Sequence, residues 1–399
     1  MKKVLFVADS LSTGGLEKSL VTLLKFWNYD EYDVNLYLFN DGRALLPELN
    51  KKVHLLPDSP YFHDFYNTSL GRSLLTLAKK GQIGLCFRRV LRMMKPRLFK
   101  LLHRTYIPDT PADWRTKKKT MLRLDTHYDV AIGFAEGTAN HYVADCVDAD
   151  VKLGWVHTDV SHTLFNVKQE RNMLLRLDYL ITVAENAKKS LLQRLPELEG
   201  KIRVLPNLLD TEEILAKAKV QPEGMDTEEN CTKIVSVGRL VELKGFHLCP
   251  AACRMLLDAG YRAHWYVVGE GEFRGAIEEE IRKNHVEDYF TLLGNRTNPY
   301  CYEYNADICV QPSSYEGKSV VVEEEKLLHK PIVASDIGAF REVISDRETG
   351  MIAERSSEAL FAAIRTLIDE PALRRHISER LEYSQMSNRD ILNTIYSLI

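Results

Sequence analysis

The stretch KIVSVGRLVELKGF, residues 233–246, begins with a short apolar run and continues into a turn that carries glycine and two cations. Such a run is typical of a strand buried on both faces of a parallel sheet. The acidic, polar stretch QPEGMDTEEN directly upstream, residues 221–230, is typical of a connecting segment. We therefore interpret residues 233–237 as the first strand of a second domain.

Similar short apolar runs alternate with longer helical patterns on both sides of this stretch. The alternation predicts two doubly wound α/β domains, each a parallel sheet covered by helices on both faces. We place the N-terminal domain at residues 1–208 and the C-terminal domain at 209–399, and two domains suit a chain of 399 residues. Packing of the last helix back on the N-terminal domain is left open. The predicted strands are 3–8, 34–39, 53–56, 130–134, 153–156, 179–183, 202–205, 233–237, 265–268, 290–293, 308–310, 332–334 and 351–353.

The composition is that of an ordinary globular protein, with 45% hydrophobic and 27% charged residues and a net charge of −3. The seven cysteines include no CxxC pair and no zinc-ligand spacing, so we expect neither a zinc site nor a disulfide framework. The apolar run at residues 4–8 is too short for a signal peptide, and no run is long enough to span a bilayer. These features predict a cytoplasmic protein.

Residues 72–123 differ from the rest of the chain in charge. They contain fifteen Lys and Arg against two acids, a local charge of +13 that leaves −16 elsewhere. Apolar residues recur among the cations at helical spacing, which favours docking on an anionic membrane surface. Two other interpretations remain open: binding of a phosphate-rich soluble polymer, or apolar packing on the N-terminal sheet with solvated cations. The cations expected to meet the membrane include Arg88, Arg89, Arg92 and Lys95.

Two glutamates eight residues apart follow the predicted strand at 308–310. Glu316 lies in a loop, and Glu324 lies two turns into a helix expected to begin near Lys318. Backbone N–H groups at a helix start can hold a diphosphate, and a second carboxylate can accept hydrogen bonds from a ribose diol. A solvated acidic helix start is the alternative, and the spacing alone does not choose between them.

Arg239 and Lys244 follow the predicted strand at 233–237, at the sheet edge where α/β folds bind ligands. A forked guanidinium and a compact ammonium together suit a diphosphate leaving group, and they can neutralise its charge without a metal. Taken alone, the two residues fit surface cations near a turn as well.

Glycine-containing loops follow two further predicted strands. Gly14 and Gly15 come after the first strand, and Gly269 begins a GEG triplet after the strand at 265–268. Neither loop has the complete GxGxxG dinucleotide fingerprint, so ordinary turns remain the alternative.

In their order along the chain, these four stretches resemble the retaining glycosyltransferases of the GT-B group often called family 4. The Gly-Gly loop, GRL-xxx-KG, GEG and E-x7-E each follow a predicted strand, and the last follows a PSS turn. The segments EGKSVVVEE and GWVHTD particularly resemble enzymes that build bacterial capsule, exopolysaccharide and related surface glycans. The resemblance implies two Rossmann-like domains that face each other across a cleft.

The resemblance also implies a role for each matched residue. Arg239 and Lys244 bind the donor diphosphate and stabilise the leaving group, Glu316 lies beside the donor sugar, and Glu324 holds the ribose. His157 lies near the transferred sugar, and Glu136 is placed near the acceptor. The remaining implied donor-binding residues are Gly14, Gly15, Gly269, Gly294, Asn295, Gly317, Lys318 and Ser319.

Two departures from the family pattern affect the interpretation. Lys318 and Ser319 stand where the commonest form has Phe and Gly, which leaves the donor sugar open. The triplet Asp148-Ala149-Asp150 matches the DxD metal motif of the other glycosyltransferase fold. Because it abuts a predicted strand within a GT-B pattern, we interpret it as a turn and expect no metal.

The predicted activity is metal-independent, front-face transfer of a sugar with retention. The expected donor is a nucleotide sugar, with UDP favoured by the resemblance. The expected acceptor is a surface glycan, favoured as lipid-linked and reached from the inner face of the cell membrane. No nucleic-acid partner and no other cofactor are expected. A sugar-nucleotide epimerase and a non-catalytic nucleotide-sugar or glycan-binding subunit are the competing predictions.

Overall fold

A computed structural model describes residues 1–12, 14–101, 111–160, 167–225, 231–381 and 386–399. The chain divides into two compact units: Met1–Leu208 with Ser387–Ile399, and Leu209–Met386. The predicted second domain extends to residue 399 with its last helix considered for packing back on the N-terminal domain, and the structure assigns that helix to the first unit.

The first unit is built on a seven-stranded parallel sheet in the order β3-β2-β1-β4-β5-β6-β7. This order reverses direction between β1 and β4, as in a Rossmann sheet. The strands are β1 Lys2–Ala8, β2 Tyr32–Leu38, β3 His54–Leu55, β4 Tyr128–Gly133, β5 Ala149–Val156, β6 Tyr179–Thr182 and β7 Ile202–Val204.

Helices cover both faces of this sheet. Strand β1 shows why its sequence is apolar throughout: Val4, Phe6 and Ala8 pack into one core cluster, and Leu5 and Val7 pack into another on the opposite face. The helices are α1 Gly15–Lys25, α2 Phe62–Tyr66, α3 Leu70–Lys79, α4 Ile83–Leu101, α5 Pro111–Lys117, α6 Thr138–Cys146, α7 Val167–Leu174 and α8 Glu185–Arg194.

The last helix, Asn388–Ser397, completes the core of the first unit. The ring of Tyr396 stacks on Tyr32 at 5.2 Å and meets the edge of Trp27 at 5.1 Å. The backbone N–H of Asn28 donates to the Tyr396 hydroxyl at 2.7 Å. These contacts tie the end of the chain to the start of β2.

The second unit contains a six-stranded parallel sheet in the order β10-β9-β8-β11-β12-β13. Its order reverses direction between β8 and β11, so this sheet has the Rossmann arrangement as well. The strands are β8 Thr232–Val237, β9 Ala263–Val268, β10 Phe290–Gly294, β11 Ile308–Gln311, β12 Ile332–Ser335 and β13 Met351–Ala353.

The helices of the second unit pack on both faces of its sheet. Trp265 and Val267 of β9 enter one core cluster, whereas Tyr266 and Val268 enter the other. The helices are α9 Thr211–Ala218, α10 Cys249–Asp258, α11 Arg274–Lys283, α12 Tyr300–Asn305, α13 Val320–Leu327, α14 Gly338–Arg341, α15 Ser357–Asp369 and α16 Pro371–Arg380.

All thirteen predicted strands are confirmed within the described residues, although their ends differ. The largest difference is at β5, which begins at Ala149 instead of 153 because Ala149 pairs with Tyr128 of β4. Helix α13 begins at Val320, two residues later than predicted. The side chain of Ser319 accepts a hydrogen bond from the Val322 N–H and so caps the helix there.

Candidate functional site

The carboxyl edge of the second sheet brings two of the predicted motifs together. Strand β8 runs into the Arg239 turn, and its neighbour β11 runs into the loop at 312–319. Two adjacent strands whose connections depart in opposite directions leave a crevice at their carboxyl ends, where open α/β sheets bind ligands.

Lys244 and Glu316 form the centre of this edge. The Lys244 ammonium donates to Glu316 Oε1 at 2.6 Å, and their side chains are only 21% and 12% exposed. The Ser313 hydroxyl donates to the same carboxylate oxygen at 2.7 Å. Lys244 and Ser313 thus share one oxygen of Glu316, which positions the Lys244 ammonium at the loop of residues 312–319. The ion pair is half-buried and is therefore held more firmly than an exposed pair.

The backbones of the two loops are also joined. The Ser314 N–H donates to the Leu243 carbonyl at 2.8 Å. Gly245, with a φ of +72°, lies so close to Pro312 that a Cβ atom would be 2.1 Å from its carbonyl oxygen. Only glycine fits this position, because it has no Cβ and tolerates a positive φ.

Arg239 projects from the same edge as an exposed side chain. It forms no side-chain hydrogen bond or ion pair with the described part of the chain. The GEG loop packs behind it: the Leu240 N–H donates to the Glu270 carbonyl at 2.9 Å, and a Cβ on Gly269 would lie 1.9 Å from the Gly238 carbonyl oxygen. The backbone on either side of Arg239 is therefore closely packed, while its exposed guanidinium is available to a ligand.

The end of β10 completes this edge. The Gly269 N–H donates to the Gly294 carbonyl at 2.9 Å, and the exposed Asn295 follows directly. Gly269, Gly294 and Asn295, three of the predicted nucleotide-binding residues, therefore lie side by side.

Helix α13 carries Glu324 into the interior. Glu324 is only 3% exposed, and its carboxylate is hydrogen-bonded to the side chain of Tyr300 on α12. Burial, reinforced by the Glu324 charge, raises the pKa of Tyr300 well above its ordinary value. Tyr300 therefore remains a neutral hydroxyl that can donate to Glu324. The ribose contact implied for Glu324 thus falls on a carboxylate that is almost fully buried and already bonded to Tyr300.

Glu323, directly before it, is buried between two lysines. The Lys318 ammonium is 3.8 Å from Glu323 Oε1, and the Lys326 ammonium is 3.7 Å from Oε2. Burial lowers the pKa of Lys318, and Glu323 opposes that shift. The side chain of Lys318, a predicted sugar contact, is thus directed at Glu323, and its loop neighbours Gly317 and Ser319 lead into the helix.

Glu325 is a third buried glutamate on the same helix, with no exposed surface. Its Oε1 accepts a hydrogen bond from Gln311 Nε2 at 2.7 Å, and Glu324, Cys309 and Lys244 are the titratable groups that face it. Burial is the main cause that raises the pKa of Glu325 to about 8. This carboxyl is consequently protonated at neutral pH beside an ionisable neighbour.

His157 lies in the first unit, after the end of β5. Its Nε2 donates to the Phe134 carbonyl at 3.1 Å, and its backbone N–H donates to Glu136 Oε2 at 3.0 Å. Burial lowers the pKa of His157, although Glu136 opposes the shift. The ring is therefore neutral at pH 7 with its proton on Nε2, which leaves Nδ1 as an acceptor.

The other predicted residues of the first unit, Gly14 and Gly15, cap and begin α1 at the carboxyl edge of the same sheet. Glu136 and His157 follow adjacent strands, so the structure brings these two together. This edge thus brings a histidine and a carboxylate together, whereas the carboxyl edge of the second sheet carries Arg239 and the Lys244–Glu316 ion pair.

The Asp148-Ala149-Asp150 triplet lies at the opposite, amino edge of the first sheet. The prediction of a turn is wrong for Ala149 and Asp150, which belong to β5 because the strand pairs with β4 from its first residue. The two carboxylates hold His127, at 3.0 Å from Asp148 and 3.4 Å from Asp150, and they raise its pKa.

Three residues of the candidate site were not found by sequence reasoning: Ser313, Tyr300 and Gln311. Ser313 lies within the PSS turn beside Glu316, so its position gave a signal. Tyr300 meets Glu324 from another helix, and Gln311 meets Glu325 from the end of a strand. Neither of these two follows a spacing that a sequence pattern shows.

The described residues also bear on metal binding and on membrane spanning. They contain no group of three or more His, Cys, Asp or Glu side chains arranged to hold a metal ion. Within the same residues, no helix is both long enough and apolar enough to cross a bilayer.

The two Rossmann-like units define the GT-B glycosyltransferase fold. The crystal structure of Anabaena Alr3699/HepE in complex with UDP-glucose matches with a TM-score of 0.71 at 17% identity, over 100% of this chain and 99% of that chain. At this identity the likeness establishes the fold.

Residues 219–382, most of which lie in the second unit, match the family model of Glycosyl transferases group 1. Alpha-D-kanosaminyltransferase of Streptomyces kanamyceticus is 27% identical over 173 residues, which are 41% of this chain and 45% of the relative. The capsular polysaccharide biosynthesis glycosyltransferase CapM of Staphylococcus aureus is 27% identical over 150 residues, 35% of this chain and 38% of the relative. The chain thus spans less than half the length of these relatives.

Proposed function

We propose that this chain is a retaining glycosyltransferase that moves a sugar from a nucleotide-diphosphate donor to a surface-glycan acceptor without a metal. The observation that carries the proposal is the Lys244–Glu316 pair beside the exposed Arg239 at the switch point of the second sheet. The group 1 domain includes all three residues.

The arrangement suits a diphosphate leaving group. Arg239 offers a forked set of donors, and Lys244 offers a compact charge that Glu316 and Ser313 hold in place. Negative charge grows on the phosphate as its bond to the sugar breaks, so fixed cations stabilise the transition state more than the bound donor. These two cations take the part that a metal plays elsewhere.

In the proposed reaction, the bond between the anomeric carbon and the diphosphate oxygen breaks. The acceptor oxygen forms its bond on the same face of the sugar, and its proton passes to the departing phosphate. The anomeric configuration is therefore retained and no enzymic nucleophile is required. The second unit contributes positioning and charge stabilisation. Glu324 accepts hydrogen bonds from the ribose hydroxyls, and the neutral His157 lies near the transferred sugar.

A UDP-sugar is the proposed donor, and the HepE structure that shares this fold contains UDP-glucose. The capsular enzyme CapM supports a surface glycan as the acceptor. We propose that this acceptor is lipid-linked and that the protein works in the cytoplasm, in peripheral contact with the membrane through residues 72–123.

Transfer of label from a panel of radiolabelled sugar nucleotides to a membrane extract tests the proposal. Arg239→Ala and Lys244→Ala should each reduce turnover about a hundredfold or more, with acceptor KM little changed, because their effect falls on the transition state. Arg282→Ala, which removes an exposed arginine from the last turn of α11, is the matched control and should retain wild-type turnover.

Two outcomes would overturn the proposal. Isomerised label without transfer would indicate an epimerase, and donor binding without any turnover would indicate a binding subunit. EDTA should leave the rate unchanged. Complete loss with EDTA that manganese restores would contradict the metal-independent mechanism.

A further inference from the structure

Helix α4 presents apolar side chains to solvent along one face. Four of them are spaced by four, four and three residues, which places them within one stripe of an α-helix. They are Ile83, 75% exposed, Phe87, 66%, Leu91, 43%, and Met94, 55%. A run of large, exposed apolar side chains on one face marks an interaction surface. We call these four residues the α4 stripe.

The opposite face of α4 packs on the body of the first unit and carries its arginines. Leu85 is buried in a cluster with Phe65 and Leu77. The arginine contacts are Arg88 to the Thr116 hydroxyl at 2.9 Å, Arg89 to the Thr68 carbonyl at 3.0 Å and Arg92 over the Tyr66 ring at 4.2 Å.

These contacts correct the expectation that Arg88, Arg89 and Arg92 meet the membrane. Each is half-buried and bonded to the protein, and burial lowers the pKa of Arg89. The side chain of Lys95 lies outside the described residues, as do residues 102–110 of the basic segment. A reversal of these arginine charges would disturb the fold and is unsuitable as a test of docking.

We propose that the α4 stripe inserts into the interfacial region of an anionic lipid bilayer, a partner that the proposed function requires for a lipid-linked acceptor. The apolar face of an interfacial helix lies in the boundary between headgroups and acyl chains. The stripe belongs to residues 72–123, whose sequence carries a net charge of +13, and two exposed cations of that segment, Arg72 and Lys79, lie on α3, which packs against α4. Those cations attract anionic lipid over a distance, and the stripe provides the contact.

The same charge disfavours a second copy of this chain as the occupant. Two copies paired through their α4 stripes would bring two segments of +13 against each other. An anionic surface instead complements that charge. Lipid is therefore the occupant that both the apolar face and the charge fit.

The test is flotation of the full chain with vesicles of phosphatidylcholine alone or with 30 to 40% phosphatidylglycerol. Phe87→Ser, Leu91→Ser and Met94→Ser in one variant should lower binding to the anionic vesicles at least tenfold. Leu215→Ser with Val220→Ser, which removes exposed apolar side chains from the second unit, should bind as wild type does. A Phe87→Trp variant should gain fluorescence that shifts to the blue on anionic vesicles.

Unchanged flotation of the triple variant would overturn the insertion, as would a monomer–dimer equilibrium that the triple variant abolishes, since a second copy would then cover the stripe. Transfer of label to a soluble acceptor analogue separates this inference from the proposed function. The triple variant should retain that activity. Wild-type chain that floats but transfers nothing would contradict the function while leaving the docking intact.

Discussion

A helix at a protein surface usually exposes its charged side chains and buries its apolar ones. Helix α13 departs from this rule by burying charges, and helix α4 departs from it by exposing apolar side chains. Helix α13 buries Glu323, Glu324, Glu325 and Lys326. Helix α4 exposes Phe87 and its apolar neighbours and turns its arginines towards the protein. The first reversal gathers charge beside the candidate donor site, and the second frees an apolar surface.

The comparison shows how to distinguish a structural exception from a functional one. Each buried glutamate of α13 has its own neighbour: Lys318 and Lys326 for Glu323, Tyr300 for Glu324, and Gln311 for Glu325. Departures from local rules concentrate at functional sites, and the surroundings have to compensate them. Within the part of the chain that the structure describes, no side chain covers the α4 stripe in a comparable way.

Glu323→Ala should have the largest effect on stability. It leaves the ammonium groups of Lys318 and Lys326 in a buried position without their carboxylate, which costs about 3–5 kcal/mol. The urea-unfolding midpoint of the second unit measures the change. Glu279→Ala, an exposed glutamate on α11, is the control. A loss no greater than that of the control would show that Glu323 adds nothing to the stability of the helix.

Glu324→Ala should weaken donor binding about ten- to hundredfold, since a charge-assisted hydrogen bond contributes about 1.5–3 kcal/mol. Isothermal titration with the nucleotide sugar measures the affinity. Tyr300→Phe removes the partner of Glu324 and keeps the carboxylate, so it should reduce affinity about threefold or less. Equal losses in the two variants would reduce Glu324 to a partner of Tyr300.

Glu325→Gln should stabilise the protein above acidic pH. The folded chain holds the Glu325 proton up to about pH 8, whereas the unfolded chain releases it near the ordinary value of 4.5. The contribution of this group is therefore complete below pH 4.5 and is lost as the pH rises to 8. We expect the free energy of unfolding of the variant to be about 1–3 kcal/mol higher at pH 7 than that of the wild type. The decrease in stability between pH 4.5 and 8 that Glu325 causes should be absent from the variant. Thermal unfolding across this pH range measures both effects. If the stability of the variant and of the wild type changed with pH in the same way, the raised pKa of Glu325 would be contradicted.

Phe87→Ser on α4 should change stability least, by about 0.5 kcal/mol or less, because the side chain is already in water. Leu85→Ala, two residues away and buried, should cost about 2–4 kcal/mol. Thermal unfolding of the pair measures the contrast between the two faces. A large loss from Phe87→Ser would mean that the stripe is covered within the folded chain.

The sequence predicts the fold of this protein well because its strands are buried on both faces. Such strands are continuous apolar runs, as in β1, and each lies between helical patterns that separate it from the next. The meeting of Lys244 with Glu316 was predictable in outline for a related reason. Neighbouring parallel strands end at the same edge, so two motifs that each follow a strand are brought close.

What the sequence did not show depends on contacts between distant elements. The orientation of Arg88 and Arg92 on α4 is set by Thr116 and Tyr66, which no helical period reveals. The raised pKa of Glu325 likewise depends on its complete burial, and a run of three glutamates in a sequence suggests solvent instead. The charge pattern of residues 72–123 therefore located an unusual segment but assigned the face of its arginines incorrectly. For the glutamates of α13, the spacing left a solvated and a functional interpretation open.

The contact between Gly245 and Pro312 restricts how many residues the two loops of this site can contain. The Leu243–Ser314 hydrogen bond holds the two loops together from both sides of Lys244. One inserted residue moves the chain by up to about 3.8 Å. This shift is larger than the 2.6 Å between the Lys244 ammonium and Glu316 Oε1. An insertion in either loop therefore has to be matched in the other, and homologues with this pair should keep the GRL-to-KG and PSS-to-E intervals fixed.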